Sequence, residues 1–189
     1  MPRIPLPSPE SMTPEQRQVH DRIVAGRRGK IQGPLRAALH NPALADRWQA
    51  LGELLRYDTS LTRRESELAI LVTGRACHSP FEWYAHRLEA ERAGLSEAAL
   101  EALLAQREPE GLDPREAAVV AYARELNRDD SVSDATYARA LERLGARTLV
   151  ELTALVGYYT MVAMTLNAHE IPLPDGIEPA FPLPQHAPA

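Results

Sequence analysis

The chain has 189 residues and a formal net charge of −5, from 21 basic and 26 acidic side chains. This length provides for one domain with a single core, and a composition of 44% hydrophobic and 25% charged residues excludes disorder over the whole length. The acidic balance supplies no basic patch, so we expect no nucleic-acid partner. The single cysteine, Cys77, excludes an internal disulfide framework and a thiolate-rich metal site, and it favours a reducing compartment.

Proline placement predicts two extended tails around one helical domain. Of the 16 prolines, five lie at or before Pro14 and six at or after Pro172, and proline both fixes φ and removes a hydrogen-bond donor. We therefore expect an N-terminal tail over 1–12, a domain over 13–168 and a C-terminal tail over 169–189. The N-terminus has no continuous apolar stretch, so we expect no signal peptide and a cytoplasmic protein.

The domain reads as one helix after another, because Ala, Leu, Arg and Glu dominate it and no segment alternates with period two. Capping-box patterns predict helix starts, and glycines at 94 and 145 predict helix ends. The capping residues are Thr13, Thr62, Ser79, Asp113 and Thr148. The predicted helices span 13–27, 43–57, 62–77, 80–93, 96–106, 114–127, 133–144 and 148–167, giving an all-α bundle of about seven or eight helices.

One segment, 149–166, is apolar enough to raise the question of a membrane. It contains Glu151 and is slightly short for a span. We interpret it as a buried helix and expect no membrane partner.

Glu67 is the first candidate functional residue. Helical spacing places it on one face with Ile70, Leu71 and Gly74, and a carboxylate on an apolar face must be protonated, paired or hydrogen-bonded. Burial would raise its pKa toward the range useful for proton transfer. The alternative is a structural carboxylate paired with Arg63 or Arg64.

Glu82 and His86 form the second candidate, four residues apart on one predicted helix. A carboxylate beside an imidazole orients the ring and raises its basicity, as general acid/base catalysis requires. Ser79, Trp83 and Tyr84 surround the pair and, with Cys77, are expected to line a pocket. The alternative is that Glu82 only completes the capping box of Ser79 and that His86 is solvated.

Cys77 is the third candidate, since it precedes His78 and a helix start, where a thiol can become reactive. Its alternative role is that of a small core residue. We expect no metal site and no cofactor, because the sequence has no HExxH spacing, Gly-rich phosphate loop or GxSxG elbow.

The sequence resembles the carboxymuconolactone decarboxylase family, which includes the alkylhydroperoxidase-D-like proteins. The resemblance lies in Leu-Thr-Arg-Arg-Glu-Ser-Glu-Leu-Ala-Ile-Leu-Val at 61–72, Glu-Trp-Tyr-Ala-His at 82–86 and Ala-Gly-Leu-Ser at 93–96. Gly-Pro-Leu at 33–35 and Asn-Pro-Ala-Leu-Ala at 41–45 also fit its longer members. It implies an all-helical domain that assembles into homo-oligomers, commonly trimers or hexamers.

The resemblance also implies which residues act. In the peroxidase branch, the motif is a glutamate, a Cys-x-x-Cys pair and a histidine, which fall here on Glu67, on Ser79 and Glu82, and on His86. Both redox thiols are therefore missing, and disulfide exchange requires two thiols. The decarboxylase branch relies on the glutamate and histidine positions, which are present, although the Gly-x-Pro element that is usual in its last helix region is absent.

Three hypotheses follow from these observations. The first is a cofactor-independent acid/base enzyme, a decarboxylase or isomerase, acting on a small carboxylated or lactone-like ring compound. Its catalytic residues would be His86 as proton donor, Glu82 as its orienting partner and Glu67 as a second acid/base group. The second is a peroxidase-like oxidoreductase that uses Cys77 alone, and the third is a non-catalytic oligomeric scaffold. The scaffold predicts a solvated Glu82–His86 pair and no enclosed pocket near Glu67.

Overall fold

The computed structural model describes residues 1–183, which form eight helices and no strand. The prediction of an all-α fold is confirmed. In chain order the helices are α1 (Pro14–Ala25), α2 (Pro34–Ala38), α3 (Pro42–Tyr57), α4 (Arg63–Ala76), α5 (Pro80–Arg92), α6 (Glu97–Leu104), α7 (Pro114–Asp129) and α8 (Asp134–Ala168).

Helix α4 is the centre of the bundle. It packs against α5, α7 and α8, and nearly all of its residues from Glu65 to Gly74 are buried. A helix that is apolar on every side must be surrounded by other elements, and the run Leu68–Val72 is of this kind. The two carboxylates on this helix therefore lie in the core rather than at the surface.

Three of the five predicted capping boxes form. In each, a short side chain accepts from the N3 backbone N–H while the N3 side chain accepts from the N-cap N–H; they begin at Thr13, Thr62 and Asp113. The boxes predicted at Ser79 and Thr148 are wrong. Ser79 precedes α5 but its side chain makes no hydrogen bond to any described residue, and Thr148 lies inside α8.

The predicted helices are present, and one further short helix is added. The five-residue helix α2 was not predicted, because one turn and a half is too short to show a hydrophobic period. The two helices predicted at 133–144 and 148–167 are both present as the two parts of α8, and they are divided at Gly145, whose φ of 78° and ψ of 161° are not helical, as predicted.

Helix α8 has the length and apolar composition of a membrane span. Half of its most apolar 18-residue window is buried inside the bundle, against α4 and α7. Such burial is typical of a core helix in a soluble protein.

Both tails pack on the helical body. Arg3 bonds through its backbone to the His169 carbonyl oxygen at 2.9 Å, and its guanidinium pairs with Glu170 at 2.6 Å. In the C-terminal tail, Phe181 is buried and meets the Trp83 ring edge-on, with 6.2 Å between the ring centroids. The remainder of the predicted tail, 184–189, lies outside the described residues.

Candidate active site

Helices α4 and α5 bring the three candidate catalytic side chains together. Glu67 comes from α4, Glu82 and His86 come from α5, and each residue is at most 5% exposed. The two helices approach closely at Gly74, where an added Cβ would lie 3.2 Å from both Cβ and Cγ of Glu82. The missing side chain at this position therefore leaves the room that Glu82 occupies.

His86 lies between the two carboxylates. Its Nδ1 is 2.7 Å from Oε2 of Glu67, and its Nε2 is 3.1 Å from Oε1 of Glu82. A carboxylate only accepts hydrogen bonds, so Nδ1 donates to Glu67, and a protonated ring would also present an N–H to Glu82. The alternative role of Glu67, a carboxylate paired with Arg63 or Arg64, is not what the structure shows, because these arginines pair instead with Glu89 and Glu116. The alternative of a solvated His86 is not shown either, because its side chain is buried.

The charge of the cluster keeps His86 protonated. Burial alone would lower the pKa of its imidazole, but the charge of Glu67 and hydrogen bonds to Glu67 and Glu82 outweigh burial and raise that pKa to about 9. At neutral pH the buried His86 ring is therefore an imidazolium and does not act as a free base.

Glu82 keeps one oxygen free. Its Oε2 is buried and has no hydrogen-bond partner among residues 1–183. An unpaired buried carboxylate oxygen costs several kcal/mol of lost hydration, on the order of a lost charged hydrogen bond. A carboxylate oxygen without a partner can accept a proton or, once protonated, donate one.

A cavity of about 380 Å³ lies beside the cluster. Glu82, His86 and Tyr84 line it, while Glu67 lies on the far side of the His86 ring. The other residues expected in the pocket lie elsewhere: Ser79 is fully buried, and Trp83 faces Phe181 of the C-terminal tail.

Two lining residues were not assigned to the site from the sequence. Tyr159 of α8 meets the His86 ring edge-on, with 4.9 Å between the centroids, and burial raises the pKa of its phenol well above the usual value. Arg56, in the last turn of α3, lines the cavity beside Tyr159. Two adjacent tyrosines on the last helix are a signal that could have pointed to this part of the wall, whereas nothing in the α3 sequence marks Arg56.

Cys77 ends α4 and is half-buried. Burial, with a smaller opposing effect of Thr160, raises the pKa of its thiol above the usual value. A raised pKa means less thiolate at neutral pH and therefore a less reactive sulfur. Within residues 1–183, no group of three His, Cys, Asp or Glu side chains is placed to hold a metal ion.

Solved structures share the fold over almost the whole chain. A peroxidase-related protein from Ralstonia eutropha JMP134 with the alkylhydroperoxidase AhpD core has a TM-score of 0.76 at 16% identity, over 92% of this chain and 93% of its own. A peroxidase-related protein from Silicibacter sp. TM1040 has a TM-score of 0.74 at 17% identity, over 90% of each chain.

A third similar structure is the debrominase Bmp8, with a TM-score of 0.73 at 12% identity over 90% of this chain and 91% of its own. A variant of that debrominase has been solved with 2,3,4-tribromopyrrole bound. At these identities the likeness establishes a common fold.

Part of the sequence matches a known family. Residues 42–125 match the carboxymuconolactone decarboxylase family, and this stretch includes Glu67, Glu82 and His86. No curated protein matches the chain significantly in sequence. The family match over 42–125 and the common fold both support a likeness to the carboxymuconolactone decarboxylase and AhpD-like superfamily, and this chain has a single cysteine and so no Cys-x-x-Cys pair.

Proposed function

We propose that the protein is a cofactor-independent acid/base enzyme that decarboxylates or isomerises a small carboxylated or lactone-like ring compound. One observation carries the proposal: a buried imidazolium lies between two carboxylates, and one of these, Glu82, has a free oxygen and lines a cavity. The cavity volume of about 380 Å³ is within the range of pockets for small organic ligands.

The geometry favours Glu82 as the group that exchanges a proton with the substrate. From the sequence we expected His86 to be the donor and Glu82 to orient it. However, the two ring nitrogens of His86 are already engaged at 2.7 and 3.1 Å, and the free atom is Oε2 of Glu82. In this order His86 supplies the proton through Glu82, and Glu67 holds the ring and stabilises its charge.

The proposed reaction balances without an oxidant or a reductant. In decarboxylation, the bond between the ring carbon and the carboxylate breaks, CO₂ leaves, and the electron pair stays on the ring as a dienolate. Glu82 gives that carbon a proton drawn from Nε2 of His86, and solvent then restores the proton to His86. In isomerisation, Glu82 removes a proton from one carbon and returns it to another.

Burial strengthens each of these interactions. The cluster is shielded from water, and Tyr84 and Tyr159 form part of the cavity wall beside it. Charge interactions are stronger where water is excluded, so a developing anion would be stabilised more here than in solution. The 2,3,4-tribromopyrrole complex of a debrominase with this fold supports a pocket for a small ring compound.

The alternatives receive less support. A peroxidase that uses Cys77 alone needs a reactive thiol, and burial raises the pKa of this one. A non-catalytic scaffold predicts a solvated Glu82–His86 pair without an enclosed pocket, whereas both side chains are buried beside a cavity.

The test is turnover of carboxylated muconolactones, followed by the release of CO₂ and by ultraviolet absorbance. Glu82→Gln keeps the size of the side chain but cannot carry the proton, so we expect roughly a hundredfold to ten-thousandfold loss of kcat. The matched control is Glu91→Gln, also on α5, because Glu91 is exposed and pairs only with Arg87 among the described residues. Circular dichroism checks that both variants fold.

Two outcomes would contradict the proposal. One is Glu82→Gln with the turnover of the wild type. The other is a wild-type protein that neither releases CO₂ nor, in D₂O, incorporates deuterium into any of the carboxylated lactones offered.

A further inference from the structure

The cavity beside Glu82 is lined by an excess of positive charge. Besides the His86 imidazolium, five arginine and lysine side chains line it against two carboxylates, although the chain as a whole has a net charge of −5. These five are Arg28, Lys30, Arg56, Arg63 and Arg92. Positive charge is therefore concentrated at this cavity and not spread over the protein.

Two of these cations have structural partners. Glu89 forms an ion pair with Arg63 and another with Arg92, at 2.6 Å in the second case. Both arginines are at least half exposed at the rim. Their positive charge is thus largely compensated by the carboxylate of Glu89.

Arg56 is different, since its guanidinium has no hydrogen-bond acceptor and no carboxylate partner in the described part of the chain. Its one side-chain contact of note is with the Tyr57 ring, at 5.4 Å from the centroid. Burial lowers its pKa, but the nearby Tyr159 and Tyr57 and the charges of Glu67 and Glu89 raise that pKa overall, so Arg56 stays charged. The N–H groups of a planar guanidinium remain available for a planar anion.

Arg28 is a second cation without a carboxylate partner among residues 1–183. Its Nη2 donates to the Tyr158 hydroxyl at 3.4 Å, and its Nε is buried without a hydrogen bond. An added Cβ at Gly52 would lie 2.4 Å from this Nη2 and 2.1 Å from the hydroxyl. The absence of a side chain at Gly52 in α3 therefore leaves the room that the Arg28–Tyr158 hydrogen bond occupies.

We propose that Arg56, together with Arg28, which lines the same cavity, binds a carboxylate group of a small ring compound there. The identification of that compound as the substrate rests on the function proposed above, but the binding itself does not. A carboxylate matches the fork of N–H groups on an arginine. The anchored end would lie at the arginines, and the reacting carbon would face Glu82 across the cavity.

The test uses two probes of equal shape, benzoate and its neutral isostere benzamide, with binding to the full chain measured by isothermal titration. We expect benzoate to bind at least tenfold more tightly than benzamide, and Arg56→Met to weaken benzoate roughly tenfold to a hundredfold. The matched control is Arg92→Met, which removes a rim cation already paired with Glu89 and should change the affinity less than about twofold.

A second variant separates this inference from the proposed function. Glu82→Gln should lose turnover but bind benzoate at least as tightly as the wild type, because it removes a negative charge from the cavity wall. If no substrate is ever turned over while benzoate binding depends on Arg56, the enzyme proposal fails and the anion site stands.

Three results would overturn the anion site. The wild type could fail to prefer benzoate over benzamide. Arg56→Met could bind benzoate as the wild type does. Arg92→Met could lose as much affinity for benzoate as Arg56→Met. In that case the overall positive charge of the cavity, and not Arg56 in particular, would account for the binding.

Discussion

Raising the pH from 6 to 10 should weaken the folded protein through the deprotonation of His86. The pKa of this ring rises from 6.5 to about 9 on folding, because the charge and hydrogen bonds of Glu67 and Glu82 exceed the effect of burial. A folded-state pKa above the unfolded value stabilises the protein fully below about 6.5. That stabilisation then declines as pH rises and is lost above about 9.

The magnitude follows from that interval. At about 1.4 kcal/mol for each pH unit, the rise of the pKa to about 9 corresponds to about 3 kcal/mol of unfolding free energy. The physical cause is that a neutral ring leaves Glu67 and Glu82 as two buried carboxylates without a cation between them.

Urea unfolding at pH 6, 7, 8, 9 and 10 measures the effect, with His86→Gln as the reference that removes this titration alone. The difference between the two curves should fall by about 3 kcal/mol over the range. Nitrogen-15 NMR of the imidazole in the wild type gives the same pKa directly, which keeps the test informative if His86→Gln does not fold. Parallel curves, or a ring that titrates below 7, would refute the reasoning.

Further predictions concern a helix contact, the thiol and the assembly. Gly52→Ala should displace the Tyr158 hydroxyl and weaken benzoate binding in calorimetry, because the new Cβ would lie 2.1 Å from that hydroxyl; unchanged affinity would separate Tyr158 from the anion site. The thiol of Cys77 should react with iodoacetamide at pH 7 more slowly than glutathione, since burial raises its pKa; faster reaction would reopen the peroxidase hypothesis. We also expect a homo-oligomer, and α8 carries an exposed apolar residue in Met164, at 63%; Met164→Glu should lower the molar mass in light scattering if this face is shared, and a monomeric wild type would contradict the expectation.

Local signals in the sequence account for most of the helices. At Thr13, Thr62 and Asp113 the cap is made within four residues, so the pattern alone suffices. At Thr148 the same pattern fails, because the helical course resumes after Gly145 and the threonine is buried inside α8. Tertiary packing there overrides the local signal.

The candidate site was partly visible for the same reason. The four-residue spacing of Glu82 and His86 places them together on one helix, and the sequence indicates this directly. The sequence did not show that Glu67 pairs with His86 rather than with an arginine. This pairing depends on the close approach of α4 and α5 at Gly74, which local sequence patterns do not indicate. Arg56 was missed because an arginine in the last turn of a helix is ordinarily explained by the helix dipole.

The proline-rich segment after α8 supports the far side of α5. Phe181 packs on Trp83, the immediate neighbour of Glu82, and Arg75 lies over the Phe181 ring at 4.8 Å. Pro174 also forms part of the cavity wall. A chain shortened at residue 170 would keep every helix but lose the contacts of Phe181 and Pro174 that support α5 and the cavity wall. We therefore expect the truncated protein to lose the proposed activity while its helical content in circular dichroism stays unchanged.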